Sequence, residues 1–238
     1  MTKRFRMIAG PNGSGKSTLV RMLRGDYAVN FYAMLNSDDI FAEVARTKAY
    51  SPTLPVSEDA LLKFVAASEY SSQTKSFFLS GDIAVKADTI RFGSPESVNT
   101  YTVALLTNYL QQEHIATGKS FSQETVFSHP SKIVALKAAK ESGFRTYLYF
   151  VANRDIAINI ARIANRVKSG GHDVPVEKVA TRARRCLENV AKALPYCSRA
   201  YFFDNSGIEM RFLAEYSEEG GFISVANDLP TWFRSAIA

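Results

Sequence analysis

Residues 10–18 read Gly-Pro-Asn-Gly-Ser-Gly-Lys-Ser-Thr. The run satisfies G-x-x-x-x-G-K-[ST] at Gly10, Gly15, Lys16 and Ser17. Glycine lets a backbone turn tightly with its N–H groups aimed inward. The positive end of a following helix adds to those donors, and together they make a socket for phosphate oxygens. Gly10, Pro11, Asn12, Gly13, Ser14, Gly15, Lys16, Ser17 and Thr18 are therefore expected to grip a nucleoside polyphosphate. Lys16 would reach the β- and γ-phosphates, and the Ser17 hydroxyl would ligate Mg2+.

Moving a phosphoryl group to a hydroxyl requires a carboxylate near the acceptor, to take its proton or orient it. Leu35-Asn36-Ser37-Asp38-Asp39-Ile40 offers Asp38 as that base at the end of a predicted strand. The same stretch also reads as a helix cap, with Ser37 or Asp38 in that role. Glu124, in Ser122-Gln123-Glu124-Thr125-Val126-Phe127, follows another predicted strand. It either grips substrate hydroxyls, with Thr125 and Asn36 beside it, or is a solvated loop residue. Asp204, in Tyr-Phe-Phe-Asp-Asn-Ser-Gly, has the position of a strand-terminal acid, but Asp-Asn-Ser-Gly is also a plain turn, and a structural role is preferred.

Arginines could offset charge on a moving phosphoryl group. Over residues 155–171, Ile156, Ile160, Ile163 and Val167 form an apolar stripe at helical spacing. Asn159, Arg162 and Arg166 fall on another face, with the two arginines one turn apart. Gly170 and Gly171 then break the helix, as a mobile lid would require. Arg182, Arg184 and Arg185 pose the same choice on the next helix. A solvated basic face explains all of them equally well.

The elements that must position these groups alternate. Phe5–Gly10 reads as a strand and Lys16–Gly25 as a helix stopped by Gly25. Phe31–Asp39 reads as a strand running into a turn. Residues 46–97 read as an insertion with one helix, near 59–70. A helix over 98–117 has Val98, Tyr101, Leu105 and Tyr109 at helical spacing and Gly118 as its stop. A short strand at 121–127 and a helix over 129–143 follow. Arg145–Ala152 is a continuous apolar strand, as a sheet covered on both faces demands. Helices follow at 155–168 and 174–194, then a strand at 199–204 and a hairpin with Glu218-Glu219-Gly220-Gly221 at its turn. The pattern implies an α/β P-loop fold: a three-layer α/β/α sandwich with a mostly parallel sheet, kinase-like, in one domain with a helical insertion at about 46–97.

Composition sets the limits. The 238 residues are 46 % apolar and 22 % charged, with a formal net charge of +6. The chain is long enough to bury a real core. Its positive charge is spread without a long basic run, which argues against nucleic acid as a partner. No apolar run approaches the ~18 residues that would span a membrane. The N-terminus lacks a long apolar stretch and a cleavage site, so no signal peptide is read there. Two cysteines, Cys186 and Cys197, suit a reducing compartment, and a cytoplasmic location is expected.

These residues, in this order, resemble the zeta-toxin family of P-loop kinases. The resemblance rests on the loop at 10–18, Leu-Asn-Ser-Asp-Asp-Ile, Glu-Thr-Val-Phe-Ser-His-Pro, Arg-Val-Lys-Ser-Gly-Gly-His-Asp-Val-Pro (166–175) and Asp-Asn-Ser (204–206). It covers about the first 40 residues and 98–207, not the insertion. It implies ATP and Mg2+ as cofactors and UDP-N-acetylglucosamine, a nucleotide sugar, as acceptor. It also implies a small antitoxin protein as partner. By position, Lys16 and Ser17 match the phosphate and metal residues, Asp38 the catalytic base, and Glu124 the acid on the sugar. Arg166, with Arg162 as rival, matches an arginine on the γ-phosphate, and Arg182 matches a second. His172 matches the family's Gly-Gly-His without an assigned role. Val126 departs from the family's usual Glu-Thr-Thr, and the insertion separates the base from the sugar contact. Other readings stay open. One is a transporter- or repair-type ATPase, for which Leu79-Ser80-Gly81-Asp82 is an incomplete signature. Others are a kinase of a nucleic-acid end or an antibiotic, and an ATP-binding module without turnover.

Overall fold

The computed structural model describes residues 2–168 and 174–237. In chain order the elements are β1 (Arg4–Ala9), α1 (Lys16–Gly25), β2 (Ala33–Asn36), α2 (Ser37–Thr47), β3 (Ala49–Tyr50), α3 (Glu58–Ala67), α4 (Ser72–Leu79), β4 (Ile83–Lys86), β5 (Thr89–Phe92) and α5 (Thr100–Ala116). They continue as β6 (Phe121–Thr125), α6 (Ser131–Glu141), β7 (Arg145–Ala152), α7 (Ile156–Lys168), α8 (Val176–Ala193), β8 (Arg199–Asp204), β9 (Arg211–Ser217), β10 (Gly221–Ser224) and α9 (Thr231–Ile237). The chain divides into two compact units, one of residues 1–32 with 120–238 and the other of 33–119. Among the described residues, no helix is long and apolar enough to cross a membrane.

In the first unit six strands lie side by side in the order β10-β9-β8-β7-β1-β6. The pairs β1–β6, β1–β7 and β7–β8 are parallel, while β9 and β10 run antiparallel at the edge. The core strands are nearly continuous runs of apolar residues, because helices cover the sheet. Phe5, Met7, Ile8 and Ala9 of β1 and Leu148, Phe150, Val151 and Ala152 of β7 are all buried. Phe5 stacks on Phe121 across the β1–β6 pair, ring centroids 4.3 Å apart. Helix α1 buries Leu19 and Leu23, one turn apart, and α8 buries Val179, Cys186, Val190 and Ala193. β1 is thus flanked by a neighbour on each side, with later strands reached by crossovers. The loop beyond its carboxyl end is the place where an open parallel sheet opens a crevice.

The second unit differs from expectation in two places. The expected turn after β2 does not exist: the strand ends at Asn36 and α2 begins at once at Ser37. The stretch 46–97 holds two helices, α3 and α4, and a small antiparallel sheet in the order β3-β5-β4. Its hairpin turns on Ala87 and Asp88, both with positive φ (48° and 58°). Such a turn normally announces itself by Asn-Gly or Asp-Gly, and Ala-Asp hides it. Leu79-Ser80-Gly81-Asp82 is the end of α4, where Gly81 takes φ +80° and Asp82 Oδ2 accepts from Ser94 Oγ at 2.6 Å. α5 is buried nearly all round, through Val103, Leu105, Leu106, Tyr109 and Leu110, but Tyr101 of the expected stripe is exposed.

Candidate active site

The loop at 10–18 joins β1 to α1, as its composition requires. Gly10, Gly13 and Gly15 all have positive φ, and Gly15, left-handed at φ 99°, stands at the N-cap of α1. No side chain caps this helix and no acid lies in its first turn. Its opening N–H groups and its dipole are therefore available to an anion. Lys16 Nζ lies over the loop and donates to the carbonyls of Gly10 and Pro11, at 3.1 and 3.0 Å. Ser14 Oγ and Asn12 Oδ1 are buried polar atoms without a partner. A positively biased, glycine-lined loop with an unpartnered Ser14 hydroxyl fits a polyphosphate.

β6 brings the second functional group. Ile8 faces Glu124 and Ala9 faces Thr125 in the parallel register, so β6 ends beside the start of the loop. Ser17 Oγ donates to Glu124 Oε1 at 3.1 Å. A hydroxyl and a carboxylate side by side form a hard oxygen donor set, which suits Mg2+ completed by phosphate oxygens and water. Among the described residues no cluster of three or more His, Cys, Asp or Glu could hold a metal, so such an ion would depend on that completion. Glu124, expected at the acceptor, therefore meets the residue expected at the metal. Thr125, half-buried, closes the strand.

The segment after Glu124 is pinned from α8. The Cys186 thiol donates to the carbonyl of Val126, and Asn189 Nδ2 donates to that of Phe127 at 2.9 Å. Burial pushes the Cys186 thiol up to about 12, and the charges of Lys16 and Arg182 oppose that rise. Arg182 lies half-buried on α8, one turn before Cys186.

The other arginines separate. Arg162 Nη2 donates to the carbonyl of Asn205 at 2.9 Å. Arg166 is exposed in the last turn of α7. Arg184 joins Glu188 in an exposed pair at 3.5 Å, and Arg185 is exposed. Asn159, expected on the arginine face, is instead buried with Ile163. Ile156, Ile160 and Val167 of the expected stripe are only half-buried, while Asn159 faces the loop at 10–18 and donates to the carbonyl of Asn12. Gly170, Gly171 and His172 lie outside the described residues.

Asp204 is buried and accepts from Trp232 Nε1 at 2.8 Å and from the amide and hydroxyl of Ser206, both at 3.0 Å. Its carboxylate anchors α9 and the turn after β8, the structural role preferred for it.

Asp38 and Asp39 occupy the first turn of α2, both exposed. Neither Ser37 nor Asp38 caps the helix. Asn36 does, its Oδ1 accepting from the Asp38 amide at 3.0 Å. Asn36, expected among substrate contacts, thus commits its side-chain oxygen to the helix, and the Asp38 carboxylate is left out of the cap. Burial and the neighbouring Asp38 charge raise the Asp39 carboxyl above its ordinary value, and a bond with Asn36 opposes them.

Sequence reasoning missed Asn153, Asn205, Cys186 and Asn189. Asn205 lies inside the Asp-Asn-Ser run without having been given a role, and the other three are ordinary residues on a helix or at a strand end that carry no spacing signal.

No family model matches the chain. An uncharacterized protein of Haemophilus influenzae is 38 % identical over 77 residues, which are 32 % of this chain and 52 % of that protein, so the match spans about half of the relative. Among solved structures, a chain of the PezAT chromosomal toxin–antitoxin system of Streptococcus pneumoniae matches with a TM-score of 0.53 and 11 % identity, covering 88 % of this chain and 72 % of that one. A chain of AvrRxo1-ORF1:AvrRxo1-ORF2 with sulphate ions matches with a TM-score of 0.58 and 13 % identity, over 100 % of this chain and 64 % of that one. The AvrRxo1-ORF1:-ORF2 structure with ATP gives 0.55 and 14 %, over 94 % and 61 %. The chain spans less than two thirds of the matched AvrRxo1 chains. These likenesses establish the fold alone, α/β with a mostly parallel sheet.

Proposed function

We propose that this chain is an ATP-dependent phosphotransferase that moves the γ-phosphoryl group to an alcohol of a small molecule, a nucleotide sugar such as UDP-N-acetylglucosamine first among them. The observation that carries the reading is the uncapped, acid-free N-terminus of α1, with Lys16 over it and the Ser17–Glu124 pair beside it. The loop N–H groups and Lys16 would hold the triphosphate, and Ser17 with Glu124 would hold Mg2+. When bound, Mg·ATP supplies the phosphoryl group and a cation that offsets its charge. Asp38 is the residue that would take the proton of the acceptor hydroxyl, and ATP, when bound, would supply the γ-phosphoryl group and leave as ADP. Arg166 and Arg182 balance the charge that builds on the phosphoryl oxygens. Thr125 would orient the acceptor.

In this reading residues 46–97 are an insertion in a single kinase domain, and a cytoplasmic location follows from the substrates. The AvrRxo1-ORF1 structures are complexes with ORF2, and PezAT is a toxin–antitoxin system, which supports a small antitoxin-type partner here. The incomplete signature Leu79–Asp82 runs out of the C-terminal end of α4, which does not favour a transporter-type ATPase.

The test is incubation with Mg2+, ATP and a panel of nucleotide sugars and RNA 5′ ends, read by mass spectrometry. One added phosphoryl group on a nucleotide sugar, with matching ADP, is expected. Phosphorylated RNA ends would replace the acceptor class. ATP that binds without yielding ADP would reduce the chain to a nucleotide-binding module. Arg166→Ala should keep ATP affinity within a few-fold while turnover falls about 10³-fold.

A further inference from the structure

The glycine loop is held from outside as well as by its own bonds. Asn159 Nδ2, from α7, donates to the carbonyl of Asn12 at 2.6 Å. Asn205 Nδ2, just past β8, donates to the carbonyl of Ser14 at 2.9 Å. A trans peptide is planar, with its C=O and the following N–H pointing opposite ways. Drawing the Asn12 and Ser14 carbonyls outward therefore turns the Gly13 and Gly15 N–H groups inward, toward the socket. The fit is close: a Cβ on Gly15 would meet Asn205 Nδ2 at 2.1 Å, and one on Gly13 would meet the Asn159 carbonyl at 2.5 Å.

The two arms are joined. Asn159 Nδ2 is committed to Asn12, so Asn159 Oδ1 accepts, and Asn153 Nδ2 donates to it at 3.0 Å. The other branch of the Asn153 amide lies 2.8 Å from the carbonyl oxygen of Asn205, and Arg162 Nη2 donates to that same carbonyl at 2.9 Å. Asn205 is fixed at its backbone as well, its amide donating to the carbonyl of Ala152 at 3.0 Å. Asn159 and Asn205 are buried, and Arg162 is half-buried.

We infer that Asn159 and Asn205, cross-linked by Asn153 and Arg162, are positioning residues that aim the loop's N–H groups at the α- and β-phosphates of a nucleotide. This rests on the nucleotide-binding reading above. Arg162 then acts through the loop, which leaves Arg166 and Arg182 for the γ-phosphate. The discriminating ligand is ADP, which has no γ-phosphate.

The experiment is calorimetric titration of Mg·ADP and Mg·ATP into wild type, Asn159→Leu, Asn205→Leu, Arg162→Ala and Lys16→Ala, paired with hydrogen exchange of the free proteins. Leucine keeps the branched outline of asparagine, adds no charge, and can neither donate nor accept a hydrogen bond. Each leucine variant should bind both nucleotides about tenfold more weakly, from one lost hydrogen bond to a buried carbonyl. Exchange should quicken in residues 10–18 while β1 and β7 stay protected, a pattern that general destabilisation would not give. Arg162→Ala, a milder change should the leucine variants fail to fold, should weaken ADP and ATP equally, by about fivefold. Leucine variants that bind ADP as wild type does, or an Arg162→Ala loss confined to ATP, would overturn the assignment while wild type still binds. If wild type binds neither nucleotide, or Lys16→Ala binds both unchanged, the nucleotide reading itself fails and takes this inference with it.

Discussion

Two strand-to-helix junctions in this chain are built on opposite electrostatic plans. At the β1–α1 junction the helix starts behind a left-handed glycine, without a side-chain cap and without an acid in its first turn. At the β2–α2 junction the N-cap Asn36 has extended backbone, its side chain takes an amide of the first turn, and Asp38 and Asp39 follow at once. Every helix start carries unsatisfied N–H groups and a partial positive charge. The second junction neutralises that charge with its own residues and presents carboxylates to solvent. The first leaves it open and adds a lysine. A strand-to-helix junction can thus be made either an anion socket or an acidic site, by the residues that stand at the N-cap and in the first turn.

The sharpest way to break this contrast is at the acid. Asp38→Asn keeps the size and the cap but removes the base, and turnover should fall about 10³-fold with ATP affinity kept. Unchanged steady-state turnover would remove Asp38 from the chemistry. Next in size is to give the first junction the character of the second. Thr18→Asp puts a carboxylate in the exposed first turn of α1, and ATP affinity measured at low salt should drop about tenfold and recover in part as salt rises. Affinity that stays put would mean that the open helix end contributes little.

Smaller effects test the second junction alone. Asn36→Ala removes the cap and should cost about 1 kcal/mol in denaturant unfolding. A loss well below that would mean that another group takes over the Asp38 amide. Asp39, raised by burial and by Asp38, should titrate at lower pH in Asp38→Asn, as followed by carboxyl NMR. The sign for stability follows from the direction. A carboxyl whose folded value lies above its ordinary one binds its proton more tightly when folded. Stability therefore falls as pH rises from the ordinary value through the raised one. An Asp39 midpoint unmoved in Asp38→Asn would leave burial as the whole cause.

What could be read without coordinates was whatever depends on near neighbours in the chain. Gly10, Gly15, Lys16 and Ser17 make a strand–loop–helix by their own backbone preferences, so that element and its chemistry were legible. Apolar runs such as Arg145–Ala152 and periodic runs such as Lys16–Gly25 were legible for the same reason. The hairpin at 83–92 was not, since Ala87 and Asp88 accept positive φ without advertising it.

The surroundings of the loop were decided by strand pairing alone. Asn153 and Asn205 follow the last residues of β7 and β8, and Ala152 pairs with Asp204 in register. Ala9, at the end of β1, pairs with Phe150 on one side and Thr125 on the other. Those registers carry residues more than a hundred positions away to the edge of the socket, where asparagine, glutamate and arginine take duties that their types do not signal. Local preference acts over a turn of chain, but hydrogen-bonded register acts across the whole sheet, and only the folded sheet reveals which distant side chains it delivers.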